Sequence, residues 1–240
     1  MRQNHLGKTT PLLAAEPQAY PLWMENYHST YIYRDIAKLF PKLNKIAYQR
    51  FITLLGKLSG TIINKANLAR AIEVSEPTIK EYLTIASGTF IWRELLSYEK
   101  NATKTIVKMP KGHMRDSGLL HYLLKINSLD ELYSDQIVGG SFEGFVIEEI
   151  LNGLEATRVT NWDAYYYRTR GGAEIDLILE GPFGILPIEI KYGTHTKLQQ
   201  LRALNDFVVS RQCPFGLLIN QAEMPEWLTP NIYQLPVGWV

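Results

Sequence analysis

A chain of 240 residues with 46% apolar side chains can bury one large core or two small ones. Its single cysteine, Cys213, excludes an internal disulfide and any cysteine-based zinc site. No apolar run approaches the roughly 18 residues of a membrane span, and the opening residues lack the apolar stretch of a secretory signal, so the expectation is a cytoplasmic protein with no membrane partner. The net charge of +1 conceals an asymmetry: residues 1–130 carry 18 Lys/Arg against 10 Asp/Glu, and residues 131–240 carry 7 against 14. A basic half suited to phosphates and an acidic half suited to a cation read as two modules with different partners, the plain alternative being chance unevenness.

Residues 1–21, with Pro11, Pro17 and Pro21 and no periodic pattern, read as an extended arm. From Leu22 to about Lys57 the pattern is helical, with a break at Phe40-Pro41. The aromatics of this stretch (Trp23, Tyr27, Tyr31, Tyr33, Phe40, Tyr48 and Phe51) suit helix packing better than a base-stacking platform.

Asn64 is positioned to cap a helix from Lys65 to about Glu73, with Leu68, Ala69 and Ile72 on one face. After the short turn Val74-Ser75-Glu76, Ser75 can cap a second helix with Pro77 at a tolerated early position. Ile79, Tyr82, Leu83 and Ala86 form its apolar face, and Gly88 is placed to end it in a left-handed conformation. Two short helices joined this way make a helix-turn-helix. The following strand-like runs, TFIWRELLSY and KTIVKM, make a wing carrying Lys100, Lys104, Lys108 and Lys111. The second helix offers Thr78, Lys80, Glu81 and Thr84 to a groove. Such a winged helix either contacts DNA, with Thr78, Lys80 and the four wing lysines as the contacting residues, or serves only protein packing. Arg115–Leu124 is a short helix, and residues 125–140, ending in Gly139-Gly140, read as a linker. The expected organisation is an arm over 1–21, a helical and winged helix-turn-helix domain over 22–128, and a second domain over 129–240.

In that acidic half, SFEGFVIEEILNGL is an amphipathic helix with Phe142, Val146 and Ile150 on one face. Glu143 lies near its start, where a carboxylate also suits the helix dipole. Three strands follow: YYYRT, EIDLILE and ILPIEIK, the last two joined through Gly181-Pro182-Phe183-Gly184. If Glu180 and Ile185 pair, Asp176 falls opposite Glu189, with Cβ atoms about 5 Å apart. Two facing carboxylates repel unless something positive lies between them. Lys191, two residues past Glu189, shares its face. Charges among Ile175, Leu177, Ile178, Ile188 and Ile190 are costly unless paired or bound to metal. The arrangement suits Mg or Mn held by Asp176, Glu189 and the Ile190 carbonyl. Lys191 can then orient a water or stabilise phosphorane charge. A salt-bridged hairpin, in which Lys191 simply neutralises Glu189, is the structural alternative. KLQQLRALNDFVV forms a further helix, and FGLLIN a strand able to join the sheet by a crossover. The five histidines are scattered; His195 reads as a solvated loop residue and Cys213 as core.

Asp176 and Glu189-Ile190-Lys191, with Glu143 on the preceding helix, resemble the PD-(D/E)XK nuclease superfamily, whose catalytic residues would be Glu143, Asp176, Glu189 and Lys191. Over residues 18–220 the chain is similar to something narrower. TYIYRDI, LSGTIIN, VSEPTIKEYL, KMPKGHMRDSGL, FEGFV and YYYRTRGGAEIDLILE…PIEIK resemble the C-terminal portion of a prokaryotic family of AAA-type ATPases, a winged helix followed by a nuclease-like domain. The resemblance implies an α+β chain: a helical winged-helix domain, then an α/β nuclease-like domain with a mixed sheet. Gly7-Lys8-Thr9 is like a P-loop ending, but Arg2 stands where a P-loop needs glycine and no strand precedes it. No ATP site and no ATP hydrolysis are therefore expected. Three functions follow: a metal-dependent DNA-processing phosphodiesterase, a DNA-binding module with a silent nuclease fold, or an interaction module that assembles with full-length ATPase relatives or with itself.

Overall fold

The structure, a computed structural model, describes residues 19–98 and 107–240, and only the backbone of Ile32 and Tyr33. The chain divides into two compact units, Met1–Glu94 with Gly112–Gly144, and Leu95–Lys111 with Phe145–Val240. The division falls inside strands and a helix, at Glu94/Leu95, Lys111/Gly112 and Gly144/Phe145. No helix among the described residues is long and apolar enough to cross a membrane.

The first unit opens with α1 (Tyr20–His28), which continues as a π-helical stretch over Ser29–Ile36 and a last turn at Ala37–Leu39. It stops at Phe40-Pro41, as a proline ring requires. Helix α2 (Lys45–Lys57) begins where the Asn44 side chain accepts the Ala47 N–H. After β1 (Thr61–Ile62) come α3 (Lys65–Ile72) and α4 (Glu76–Gly88). Both expected caps are present: Asn64 accepts from the Asn67 N–H, and Ser75 from the Thr78 N–H. The end of α4 differs from expectation. Gly88 keeps a negative φ, and the left-handed residue is Phe90, with φ 60°.

Next come β2 (Trp92–Ser97) and β3 (Lys111–Met114), and this unit's strand order is β1-β3-β2. The second strand of the expected wing is thus displaced. Residues 99–106 lie outside the described chain, and 107–110 are not strand. Helices α5 (Ser117–Leu123) and α6 (Leu129–Ser134) follow, capped by Asp116 and Ser128. The linker reading of 125–140 is corrected by α6 and by the start of α7 (Val138–Glu155). Ser128 accepts the Glu131 N–H while Glu131 accepts the Asn127 N–H, a near capping box that holds α6. Gly140 is a contact point. A Cβ on Gly60 would lie 3.4 Å from its Cα, so the pair lets two backbones meet. Tyr48, Phe51, Leu55, Ile79, Tyr82 and Trp92 are central to the core; of the aromatics expected to pack, Tyr48 and Phe51 are buried, Trp23, Tyr31 and Phe40 pack against it, Tyr27 is exposed, and the Tyr33 side chain lies outside the described residues. Trp23, Tyr27 and Tyr31 stack one turn apart along the first helix, with ring centroids at 5.5 and 5.3 Å.

The second unit is built on a mixed sheet. Its strands are β4 (Asp163–Arg168), β5 (Glu174–Gly181), β6 (Gly184–Ile190), β7 (Gly216–Asn220), β8 (Glu226–Thr229) and β9 (Ile232–Pro236), with the end of β2 alongside β4. The order is β2-β4-β5-β6-β7-β9-β8. β4-β5-β6 is an antiparallel meander, β7 joins β6 in parallel, and β9 joins β7 in parallel. The β5/β6 register is the expected one, with Glu180 opposite Ile185. The ladder runs one pair further, to Gly181↔Gly184, so the turn is the two residues Pro182-Phe183 rather than four. Helix α8 (Arg202–Arg211) crosses from β6 to β7, and its Leu204 and Phe207 pack with Ile175, Ile178 and Leu218. The sequence pattern gave no assignment to residues 222–240, which form the β8/β9 hairpin.

Candidate active site

The candidate site lies where the β5/β6 ladder runs out. Its last pair at that end is Leu177↔Ile188, and one step beyond come Asp176 and Glu189. Both are 6% exposed. Here the side chain of Asp176 takes over from the backbone: its Oδ2 accepts the Ile190 N–H at 2.9 Å. The next peptide is held from the opposite side, with the Lys191 N–H donating to the Ile219 carbonyl at 2.9 Å. A planar trans peptide points its C=O opposite to its N–H. The Ile190 carbonyl therefore faces away from β7, toward the side on which Asp176 meets the Ile190 N–H.

Each carboxylate is matched by a cation. Glu189 Oε1 lies 2.5 Å from Lys191 Nζ, and that lysine side chain is 37% exposed. Asp176 Oδ1 lies 3.3 Å from Lys111 Nζ. Lys111 also reaches Glu174 Oε1 at 2.7 Å, and the other oxygen of Glu174 lies 3.1 Å from Arg168 Nη1. Glu174 and Arg168 are cross-strand partners on β5 and β4. Glu174 and Asp176, two apart on one strand, share a face. Three carboxylates thus meet three cations: Lys111, Asp176 and Glu189 are buried, where such pairing lets charge leave water, while Arg168 and Lys191 reach solvent at 41% and 37% exposure.

The oxygen donors are those of a hard cation such as Mg or Mn, not the nitrogen and sulfur set of zinc. Among the described residues no group of three His, Cys, Asp or Glu side chains gathers as a ligand set. The oxygens that would suit such an ion are the Asp176 and Glu189 carboxylates and the Ile190 carbonyl.

Of the expected site residues, Asp176 meets the Ile190 N–H and Glu189 meets Lys191. Glu143 is half-buried on α7 within the first unit. The buried carboxylate of that helix is Glu148, 3% exposed and in the second unit, which the helical pattern did not single out. Lys111 corrects the expected wing. At 4% exposure, with its ammonium on Glu174 and Asp176, it is not a surface lysine open to DNA. Lys80 and Lys108 are exposed, and Thr78 is half-buried with its hydroxyl 2.8 Å from that of Ser75. Lys100 and Lys104 lie outside the described residues. Glu174 carried a readable signal, its spacing of two from Asp176. Lys111, 65 positions away from Asp176 in sequence, carried none.

Comparison with known proteins matches residues 12–130 to a family model described as a domain of unknown function (DUF8612). Residues 138–239 match a second domain of unknown function (DUF4143). Uncharacterized proteins of Mycobacterium tuberculosis and Mycobacterium bovis are each 33% identical over 158 residues, which is 66% of this chain and 35% of theirs. The chain thus spans about a third of the length of these curated relatives.

Proposed function

We propose that the second unit carries a divalent-metal-dependent phosphodiesterase site acting on DNA, with a winged-helix module in the first unit as its DNA-binding part. The observation that carries the reading is the burial of Asp176 and Glu189 as successive charges at the open end of the β5/β6 ladder. Lys191 sits on Glu189, and the Asp…Glu-x-Lys arrangement resembles the PD-(D/E)XK nucleases. A divalent cation supplies Lewis acidity toward a phosphate and lowers the pKa of a bound water. The chain's own residues do the rest. Asp176 and Glu189 supply anionic oxygen, and the Ile190 N–H fixes the orientation of Asp176. The partly exposed ammonium of Lys191 is in reach of solvent and of a phosphate's developing charge.

The winged-helix reading is supported by the order α2-β1-α3-α4-β2-β3 and the strand order β1-β3-β2. The motifs similar to the C-terminal part of AAA-type ATPases add a partner, a full-length relative of that kind, with self-association as the other assembly.

Incubation of the chain with duplex, branched and single-stranded DNA in Mg²⁺ or Mn²⁺ tests the activity. Cleavage lost in Asp176→Ala and Glu189→Gln, and in chelator, is the expected outcome; cleavage that survives Asp176→Ala overturns it. One observation favours a second reading, a non-catalytic DNA-binding or interaction module. The three cations already balance the three carboxylates, as a retired site would allow. It predicts salt-sensitive DNA binding with no cleavage under any metal.

A further inference from the structure

Lys111 stands apart from the other charges of the site. Its side chain is 5% exposed, and it comes from β3 rather than from the meander that carries the carboxylates. Its ammonium is shared unequally: 2.7 Å from Glu174 and 3.3 Å from Asp176. The shorter contact is to the more exposed carboxylate, Glu174 at 28%, and the longer one to the proposed metal-binding oxygen of Asp176, whose side chain is 8% exposed. The other Asp176 oxygen holds the Ile190 N–H. A cation arriving at Asp176 therefore meets an oxygen on which a positive charge already rests.

We propose that Lys111 is the resident counter-cation of Asp176, and that its ammonium yields Asp176 Oδ1 to an incoming divalent cation while keeping its ion pair with Glu174. The inference rests on the metal-binding reading of Asp176 and Glu189 and adds a residue that sets the affinity of that site. Lys111 keeps the buried carboxylate neutralised when no metal is bound. Glu174 serves as the parking position, and Arg168, 3.1 Å from its second oxygen, orients it. Two like charges cannot share one carboxylate oxygen at these distances without cost, so the lysine and the metal compete.

The sign of the effect separates this role from a merely structural one. If Lys111 only holds the fold, removing it loosens the site and metal binding weakens. If it competes, removing it tightens binding. Calorimetric titration of Mn²⁺ into the wild type, Lys111→Met, Glu174→Gln and Asp176→Ala reads both. The proposal expects Lys111→Met to bind about tenfold more tightly than the wild type, a modest share of the attraction between charges in contact. It expects Glu174→Gln to bind several-fold more weakly, because the ammonium then loses its 2.7 Å carboxylate partner and leans more heavily on Asp176. Circular dichroism checks that each variant is folded; if Lys111→Met is not, Glu174→Gln decides, because Glu174 is partly exposed. Unchanged or weaker binding by folded Lys111→Met, or unchanged binding by Glu174→Gln, overturns the role of Lys111 while Asp176-dependent binding by the wild type leaves the metal site standing. Binding that is equal in wild type and Asp176→Ala, or absent from all four, overturns both.

Discussion

Asp176 uses both of its oxygens, one on a lysine ammonium and one on a backbone N–H, and it does so at 6% exposure. Removing the carboxylate leaves the Ile190 N–H buried without its acceptor, which costs about 1–3 kcal/mol. Asp176→Ala should therefore lower stability by that order in urea denaturation, and Asp176→Asn, which keeps an acceptor, should recover about 1 kcal/mol of it. Glu94 is the opposite case. Burial raises its pKa above the ordinary carboxylate value, partly offset by Lys65, and its Oε1 is buried with no hydrogen-bond partner. A carboxyl with a raised pKa in the folded state resists ionisation there while the unfolded chain ionises freely. Its contribution to stability is thus full below the ordinary carboxylate pKa and falls as pH rises through that value toward the folded one. Glu94→Gln should raise the melting temperature at neutral pH, and the gain should shrink on acidification into the carboxylate range. A gain independent of pH would contradict this account.

The helices of the first unit are set largely by local chemistry, and that chemistry was legible. Asn64 and Ser75 cap where their side chains and positions say they should, and Pro41 stops the first helical stretch. Ser75→Ala should cost about 1 kcal/mol, measurable as a shift of the denaturation midpoint. The β5/β6 register was legible for a different reason. Alternation has a period of two, so one correct pair fixes the rest. Two kinds of feature were not legible. One is local chemistry: Ser128 and Glu131 cap α6 within residues 125–140, a stretch whose ending in paired glycines reads as a linker. The other is non-local. Nothing around Lys111 says that strand β3 starts there and carries the side chain to Glu174 and Asp176, so it read as one more basic residue of a wing. The next position shows how tightly that strand is held. A Cβ on Gly112 would lie 2.3–2.8 Å from ring atoms of Trp92. Gly112→Ala should destabilise by about 1–3 kcal/mol, as overpacking in a core does, and a denaturation midpoint equal to the wild type would contradict the contact.

Across the molecule the division of charge between the two halves is a statement about partners rather than fold. The 18 Lys/Arg of residues 1–130 include exposed Lys80 and Lys108, and DNA binding through such residues should weaken steeply with salt. Lys80→Ala should reduce the slope of log affinity against log salt by about one if that residue meets a phosphate, and leave it unchanged if it does not. The acidic half holds the central claim, that Asp176 and Glu189 bind a divalent cation. Calorimetry of Mn²⁺ binding to the wild type beside Asp176→Ala and Glu189→Gln tests that claim most directly. A single saturable site in the wild type that is lost in both variants is the predicted result, and a wild type that takes up no Mn²⁺, or variants that bind it as well, would contradict it.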